Sequence, residues 1–343
     1  MFAKSIVFVV GAGASHELGF PLGDGLKQEI STDIRFRFDV FEQTSGSREL
    51  FALIRRKFGR DTNSYIEAGN LLSPAMEPFP SVDEALHHFA GNERVIELGK
   101  LAIAMRIIAH ERASSLPAFQ DYETKFSLPA GGWLAEFLSM ALSGTTLRDN
   151  AHIFKNVTIV NLNYDRSPEH FLLQALQHNA ARSEELAIAA IRGLKILRPY
   201  GSIGPLQWQT SELERIPYGG SGDLLQSTLG AATNIRTFTE QLVDDQIRKE
   251  IVAALNTAQA VIFLGFGFHQ QNMALLRASD AVAGRLAMAT KKAINAGNDP
   301  AIKSEIGVAV RIGASEVALF DMGAAEFLQK LRPTIMQAVG KLD

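Results

Sequence analysis

The chain has 343 residues, 46% of them apolar and 21% charged, which is enough core material for one large α/β domain with an insertion or for two domains. A net charge of −3 with no Lys/Arg block argues against a dedicated nucleic-acid surface. There is no cysteine, which excludes a disulfide scaffold and a thiolate metal site.

Ser5 to Val10 (SIVFVV) is a continuous apolar, β-branched run, the pattern of a parallel strand buried on both faces. With no small-residue cleavage site after it, this run is read as a first strand rather than a signal peptide. No apolar stretch reaches membrane-spanning length, so the expectation is a soluble, cytoplasmic protein. The strand runs into VGAGASHELGFPLGDG. Gly11 and Gly13 let the backbone turn sharply and approach a ligand closely, and Ser15 can cap the next turn or bond a phosphate. Together they suggest an anion nest of backbone N–H groups. The dinucleotide fingerprint needs glycine at position 16, and this chain has His16, so an ordinary dehydrogenase is disfavoured.

The interval from Val10 to Val157 is far too long for one crossover, so residues 26–149 are expected to form an inserted helical subdomain. Residues 1–25 and 150–343 would then make up the main domain. Inside the insertion, Ser81-Val82-Asp83-Glu84 has capping-box spacing. Glu93 to Arg112 is apolar nearly all round, as a central bundle helix must be, and Trp133, Leu134, Phe137, Leu138 and Ala141 mark a second amphipathic helix.

Further strand-like runs follow at Val157–Leu162, Leu194–Leu197, Ala260–Leu264, Leu286–Thr290 and Val317–Phe320, mostly separated by helical stretches. The alternation predicts an α/β fold: a Rossmann-like open, mostly parallel sheet with helices on both faces. Three strand exits carry chemistry-bearing residues. Asn161-Leu162-Asn163-Tyr164-Asp165 puts Asn163 and Asp165 where parallel sheets bind ligands, although both could also be turn residues before a helix with Ser167 as N-cap and Pro168 as its first residue. Tyr200-Gly201-Ser202 follows the next strand, and a phenol titrating near 10 is a poor base at neutrality. The plain alternative for Tyr200 is a packed aromatic with its hydroxyl satisfied. In Gly265-Phe266-Gly267-Phe268-His269-Gln270-Gln271-Asn272, Gly265 and Gly267 permit close approach and Asn272 is a candidate helix cap. The tract Tyr218–Asp223 (YGGSGD) is expected to be a mobile loop.

In this order the elements resemble the sirtuins. Gly11-Ala12-Gly13-Ala14-Ser15 followed by Gly19-Phe20-Pro21 resembles their first loop, and Asn163-Tyr164-Asp165 their Gln-Asn-x-Asp element, with Leu162 in its first place. Tyr200-Gly201 resembles their His-Gly element, with tyrosine at the histidine position, and the loop from Gly265 to Asn272 resembles the ribose- and phosphate-holding loop of bacterial sirtuin-like proteins. The helical insertion is similar to that of bacterial sirtuin-like anti-phage defence proteins. The resemblance implies NAD+ as substrate, bound by Gly11, Ala12, Gly13, Ser15, Pro21, Gly201, Gly265, Gly267 and Asn272. It gives Asn163 the ordering of water and ribose, Asp165 the nicotinamide carboxamide, and Tyr200 the catalytic position, with His269 or His16 as alternative bases. Sirtuin deacylases carry a four-cysteine zinc ribbon, which a chain without cysteine cannot build, so no zinc is expected and hydrolysis to nicotinamide and ADP-ribose is favoured over deacylation. The resemblance further implies a gated defence effector: a homo-oligomer, a complex with a HerA-type ATPase or an Argonaute-like protein, or both. The alternatives are an inactive sensor or scaffold that binds NAD+ or ADP-ribose, and ADP-ribosyl transfer to a target.

Overall fold

The computed structural model describes residues 1–40, 42–116, 132–146, 152–178, 184–237, 240 and 245–340, so the expected insertion boundary at 149/150 lies outside the described residues. In chain order the main elements are β1 (Ile6–Val10), α1 (Ala12–His16), α2 (Gly23–Asp33), β2 (Arg37–Asp39), β3 (Glu42–Ser45), α3 (Arg48–Phe58), α4 (Thr62–Ala75), α5 (Val82–His88), α6 (Glu93–Ala113) and α7 (Trp133–Leu142). They continue with β4 (Val157–Asn161), α8 (Ser167–His178), α9 (Glu184–Arg192), β5 (Lys195–Leu197), α10 (Leu224–Ala232) and α11 (Asp245–Thr257). The last are β6 (Ala260–Leu264), α12 (Gln270–Leu275), β7 (Leu286–Thr290), α13 (Asp299–Val310), β8 (Val317–Phe320) and α14 (Ala324–Val339).

Six strands form one parallel sheet in the order β5-β4-β1-β6-β7-β8. This is the Rossmann-like fold expected from the alternating runs. The chain winds outward from β1 through β4 to β5, then crosses back to β6 and winds the other way, which opens a crevice at the carboxyl ends of the central strands. Register fixes what meets there: Val10 pairs with both Asn161 and Leu264, so β1, β4 and β6 end level. The loops after these strands are therefore neighbours although far apart in sequence.

Two cores cover the sheet. Val7 and Val9 face a layer built from α2 to α6 with α10, α11 and α13. Ile6, Phe8 and Val10 face α7, α8, α9 and α14, with the Phe137 ring edge-on to Phe8 at 5.3 Å. Helices from the 26–149 stretch thus contribute to both layers. α6 has the expected all-round burial, and Ser81 caps α5 by accepting the Glu84 N–H at 3.2 Å. The antiparallel pair β2–β3 was not foreseen, since its short strands are polar and largely exposed and carry no periodic signal. Among the described residues no helix is long and apolar enough to cross a membrane.

Candidate functional site

The first glycine loop packs directly onto the loop after β6. The Gly11 N–H donates to the Leu264 carbonyl at 3.0 Å and the Gly13 N–H to the Gly265 carbonyl at 2.9 Å. A Cβ on Gly13 would stand 2.8 Å from Gly265 Cα, and one on Gly265, whose φ is +57°, would stand 2.0 Å from the Ala14 nitrogen. These glycines therefore serve a backbone-to-backbone contact, and two N–H groups expected to face phosphates are used inside the protein. Ala12, partly exposed, opens α1, and Pro21 lies partly exposed just before α2. Gly267 is exposed. Beside it Phe268 takes a left-handed φ of +55°, its ring packed 5.1 Å from Phe266 and 6.1 Å from Phe263.

Across the crevice, Asn163 Nδ2 donates to the Gly11 carbonyl at 3.0 Å and to Ser15 Oγ at 2.9 Å. Ser15 Oγ in turn donates to Asp165 Oδ2 at 2.8 Å. The fold thus joins Gly11, Ser15, Asn163 and Asp165 in one network between the ends of β1 and β4. Asp165 is 2% exposed, and its Oδ1 accepts the Ser167 N–H at 3.1 Å, so this carboxylate positions Ser15 and the start of α8. Ser167 is the first residue of α8, not the cap before it, and the Arg166 carbonyl accepts the His170 N–H. Two polar atoms here are unmet among the described residues: Asn163 Oδ1 accepts no hydrogen bond, and Asn161 Nδ2 is buried without an acceptor. Unsatisfied polar groups at a strand end are what a bound water or polar ligand would complete.

Tyr200 is buried, and its hydroxyl donates to Asn272 Oδ1 at 2.6 Å. Asn272 lies inside α12, whose N-cap is His269, so it holds Tyr200 and is not the expected cap. Burial drives the Tyr200 hydroxyl far above its ordinary range and the Asp83 charge adds to the effect, so the phenol keeps its proton and is a hydrogen-bond donor, neither a base nor an acid near neutrality. Asp83, at the start of α5, accepts the Tyr164 hydroxyl. Burial pushes its carboxyl up to about 6, a rise that the Tyr164 hydrogen bond partly offsets. The Tyr164 and Tyr200 rings are 6.5 Å apart, which ties Asp83 to the same end of the sheet. The sequence marked Asp83 only as part of a capping box. Gly201, at φ +70°, lets the chain cross the 234–236 segment, since a Cβ there would stand 2.0 Å from the Asn234 carbonyl. His16 Nδ1 bonds the Phe20 carbonyl and His269 is exposed at its helix cap, so neither joins this network.

A buried ion pair backs the site and had no sequence signal. Arg166 Nε and backbone N–H donate to Glu111 Oε1 at 3.0 Å, Nη2 donates to Glu111 Oε2 at 2.6 Å, and Nη1 to the Ile216 carbonyl at 2.6 Å. Glu111 also accepts the Gly219 N–H at 3.0 Å. The Tyr218 ring stacks on His170 at 3.8 Å, and its hydroxyl meets Ser114 and Ser167. The YGGSGD tract, expected to be mobile, is instead pinned at its start, and Arg112 holds it further through the Gly219 and Ser221 carbonyls.

A cleft of about 740 Å³ opens beside the edge strand β5, and of the expected site residues Gly201 lines it. Among the described residues no group of three His, Asp or Glu could hold a metal ion. Compared with known proteins, the chain matches no protein-family model and no curated protein.

Proposed function

We propose that the chain is a sirtuin-like NAD+ glycohydrolase in which water cleaves the nicotinamide–ribose bond to give nicotinamide, ADP-ribose and a proton. The observation that carries this reading is the Ser15–Asn163–Asp165 network at the level ends of β1 and β4, in a sheet wound as dinucleotide-binding sheets are. Asn163 uses its amide hydrogens on Gly11 and Ser15, which leaves Oδ1 aimed to order the attacking water or a ribose hydroxyl. The buried Asp165 carboxylate adds negative potential where positive charge would develop on the ribose. Nicotinamide leaves as a neutral group from a cationic nitrogen, so the reaction demands less of a general base than acyl transfer. Tyr200, a phenol that keeps its proton in a hydrogen bond to Asn272, is compatible with that demand. An ungated NAD+ hydrolase would exhaust its own cell, so we expect an anti-phage effector in the cytoplasm whose activity needs homo-oligomerisation, a HerA-type or Argonaute-like partner, or both.

The test is nicotinamide release from NAD+, with and without the product of the neighbouring gene. Asn163→Ala should lower turnover by at least about a hundredfold, and Tyr200→Phe should leave it within about tenfold. An Asn163→Ala protein as fast as the parent would sink the assignment. Tyr200 at the histidine position favours a second reading, an NAD+- or ADP-ribose-binding sensor or scaffold. That reading predicts retained binding and no nicotinamide release in either condition.

A further inference from the structure

We propose that the groove between the β2–β3 hairpin and helices α3 and α4 docks a second copy of this chain, through that copy's exposed segment Glu212-Leu213-Glu214. The groove has a volume of about 450 Å³, and Phe38, Phe51 and Ile66 give it an apolar lining. Phe38 is 42% exposed and Val40, two residues on, is 84% exposed, so the hairpin presents large apolar side chains to solvent. Two guanidinium groups, Arg55 and Arg60, line the same groove, and no carboxylate does. Arg55 lies over the Phe51 ring at 5.9 Å, and among the described residues neither guanidinium has an ion-pair or hydrogen-bond partner. Asp61, next to Arg60 in sequence, is taken up by Arg94 at 3.2 Å and Ser64 at 2.7 Å. Positive charge thus stands uncompensated beside exposed aromatic surface, and arginine together with aromatic side chains is the composition of interface centres.

Charge complementarity selects the occupant. An acidic segment with one bulky apolar side chain fills the lining and pairs with both guanidinium groups, whose planar forks suit carboxylates. The chain itself displays such a segment. Of the large apolar side chains exposed among the described residues, Leu213, at 56%, is the one with a carboxylate on either side, Glu212 and Glu214. Both glutamates are exposed, and neither has an ion-pair or hydrogen-bond partner for its side chain among the described residues. With Arg215 following, the segment holds two carboxylates against one cation. Groove and segment are different surfaces of one chain, so the contact is heterologous. Each copy offers its groove to one neighbour and its segment to another, and association continues past a dimer into a ring or an open chain. A contact built on one anchor is small, so it is weak and sensitive to salt. It does not depend on the hydrolase reading.

Sedimentation velocity of the full chain should show species larger than the monomer at about 100 μM, lost on dilution to about 1 μM or in about 0.5 M salt. Arg55→Glu with Arg60→Glu reverses the groove, and Glu212→Lys with Glu214→Lys reverses the segment. All four positions are exposed, so each variant should keep the parent's urea midpoint while staying monomeric at about 100 μM. An equimolar mixture of the two variants should associate again, because each reversed surface then meets its complement. A parent that is monomeric at the higher concentration overturns the proposal, as does either variant assembling like the parent or a mixture that stays monomeric. A labelled Thr-Ser-Glu-Leu-Glu-Arg peptide identifies the other occupant. Should a monomeric parent bind it, and the Arg55→Glu, Arg60→Glu chain not, the groove belongs to an acidic segment of a different protein and the self-contact is overturned.

Discussion

Asp83 accepts the Tyr164 hydroxyl, and burial raises its proton affinity until it titrates at about 6. An unfolded aspartate titrates near 3.9, so between roughly pH 4 and 6 the folded chain holds a proton that the unfolded chain lacks. Stability from this group is therefore highest at the acid end, falls as pH rises through that window, and is about 3 kcal/mol lower above it. Asp83→Asn keeps an acceptor for Tyr164 and removes the titration. Its melting temperature should exceed the parent's at pH 7.5, with the gap shrinking toward pH 4.5, and equal gaps at both pH values would refute the assignment. Glycines give a second contrast at this scale. Gly265→Ala forces a side chain into a left-handed backbone 2.0 Å from the Ala14 nitrogen and should cost at least about 3 kcal/mol. Gly267→Ala meets only the movable His269 ring, at 2.9 Å, and should cost under about 1 kcal/mol by chemical denaturation. In sequence the two glycines look equivalent, because the property that separates them is a loop 250 positions upstream. For the same reason the sequence located Asn163, Asp165, Ser15 and Tyr200 but could not say that they share hydrogen bonds, or that Gly11 and Gly13 turn their N–H groups inward.

The elements around the site depend on one pair of residues more than on any helix end. Glu111, near the end of α6, receives Arg166 from the loop before α8, and both side chains are essentially fully buried. Removing one charge leaves the other desolvated, so Glu111→Gln should cost about 3–5 kcal/mol in urea denaturation, whereas the double change Glu111→Met with Arg166→Met should cost less than the single one. A double variant as damaged as the sum of its parts would mean that the two residues act separately. Helical periodicity revealed the apolar positions of α6 clearly but carries no signal for Glu111, since its partner is 55 residues away. The strands of the main sheet were legible to within a residue at their ends, being short, mostly apolar runs, fully buried in the central strands β1 and β6 and partly exposed in the edge strands β5 and β8. Caps were less so. Ser81 reads correctly because its donor, the Glu84 N–H, is local, whereas Asn272 faces Tyr200 and Ser167 belongs to its helix, arrangements set by tertiary contact.

At the scale of the whole molecule, strand alternation foretold the sheet, but the order β5-β4-β1-β6-β7-β8 and the level ends of β1, β4 and β6 come from pairings that no local pattern encodes. The 26–149 stretch shows the consequence for stability. Its helices α2 to α6 share one core with Val7, Val9, Val160 and Phe263 of the sheet, while α7 enters the opposite core with Phe8 and Phe154. A segment whose apolar residues are shared with the cores on both faces of a sheet should unfold with the strands rather than before them. Trp133, at the start of α7, reports on that segment once Trp208→Phe has removed the other fluorophore. In urea, the Trp133 emission of this variant and the far-ultraviolet circular dichroism of the whole chain should trace one coincident transition, with the same midpoint and slope. An earlier fluorescence transition would show instead that α7 detaches as its own unit. The Phe137–Phe8 and Phe137–Phe154 ring contacts would then contribute little to holding the sheet closed.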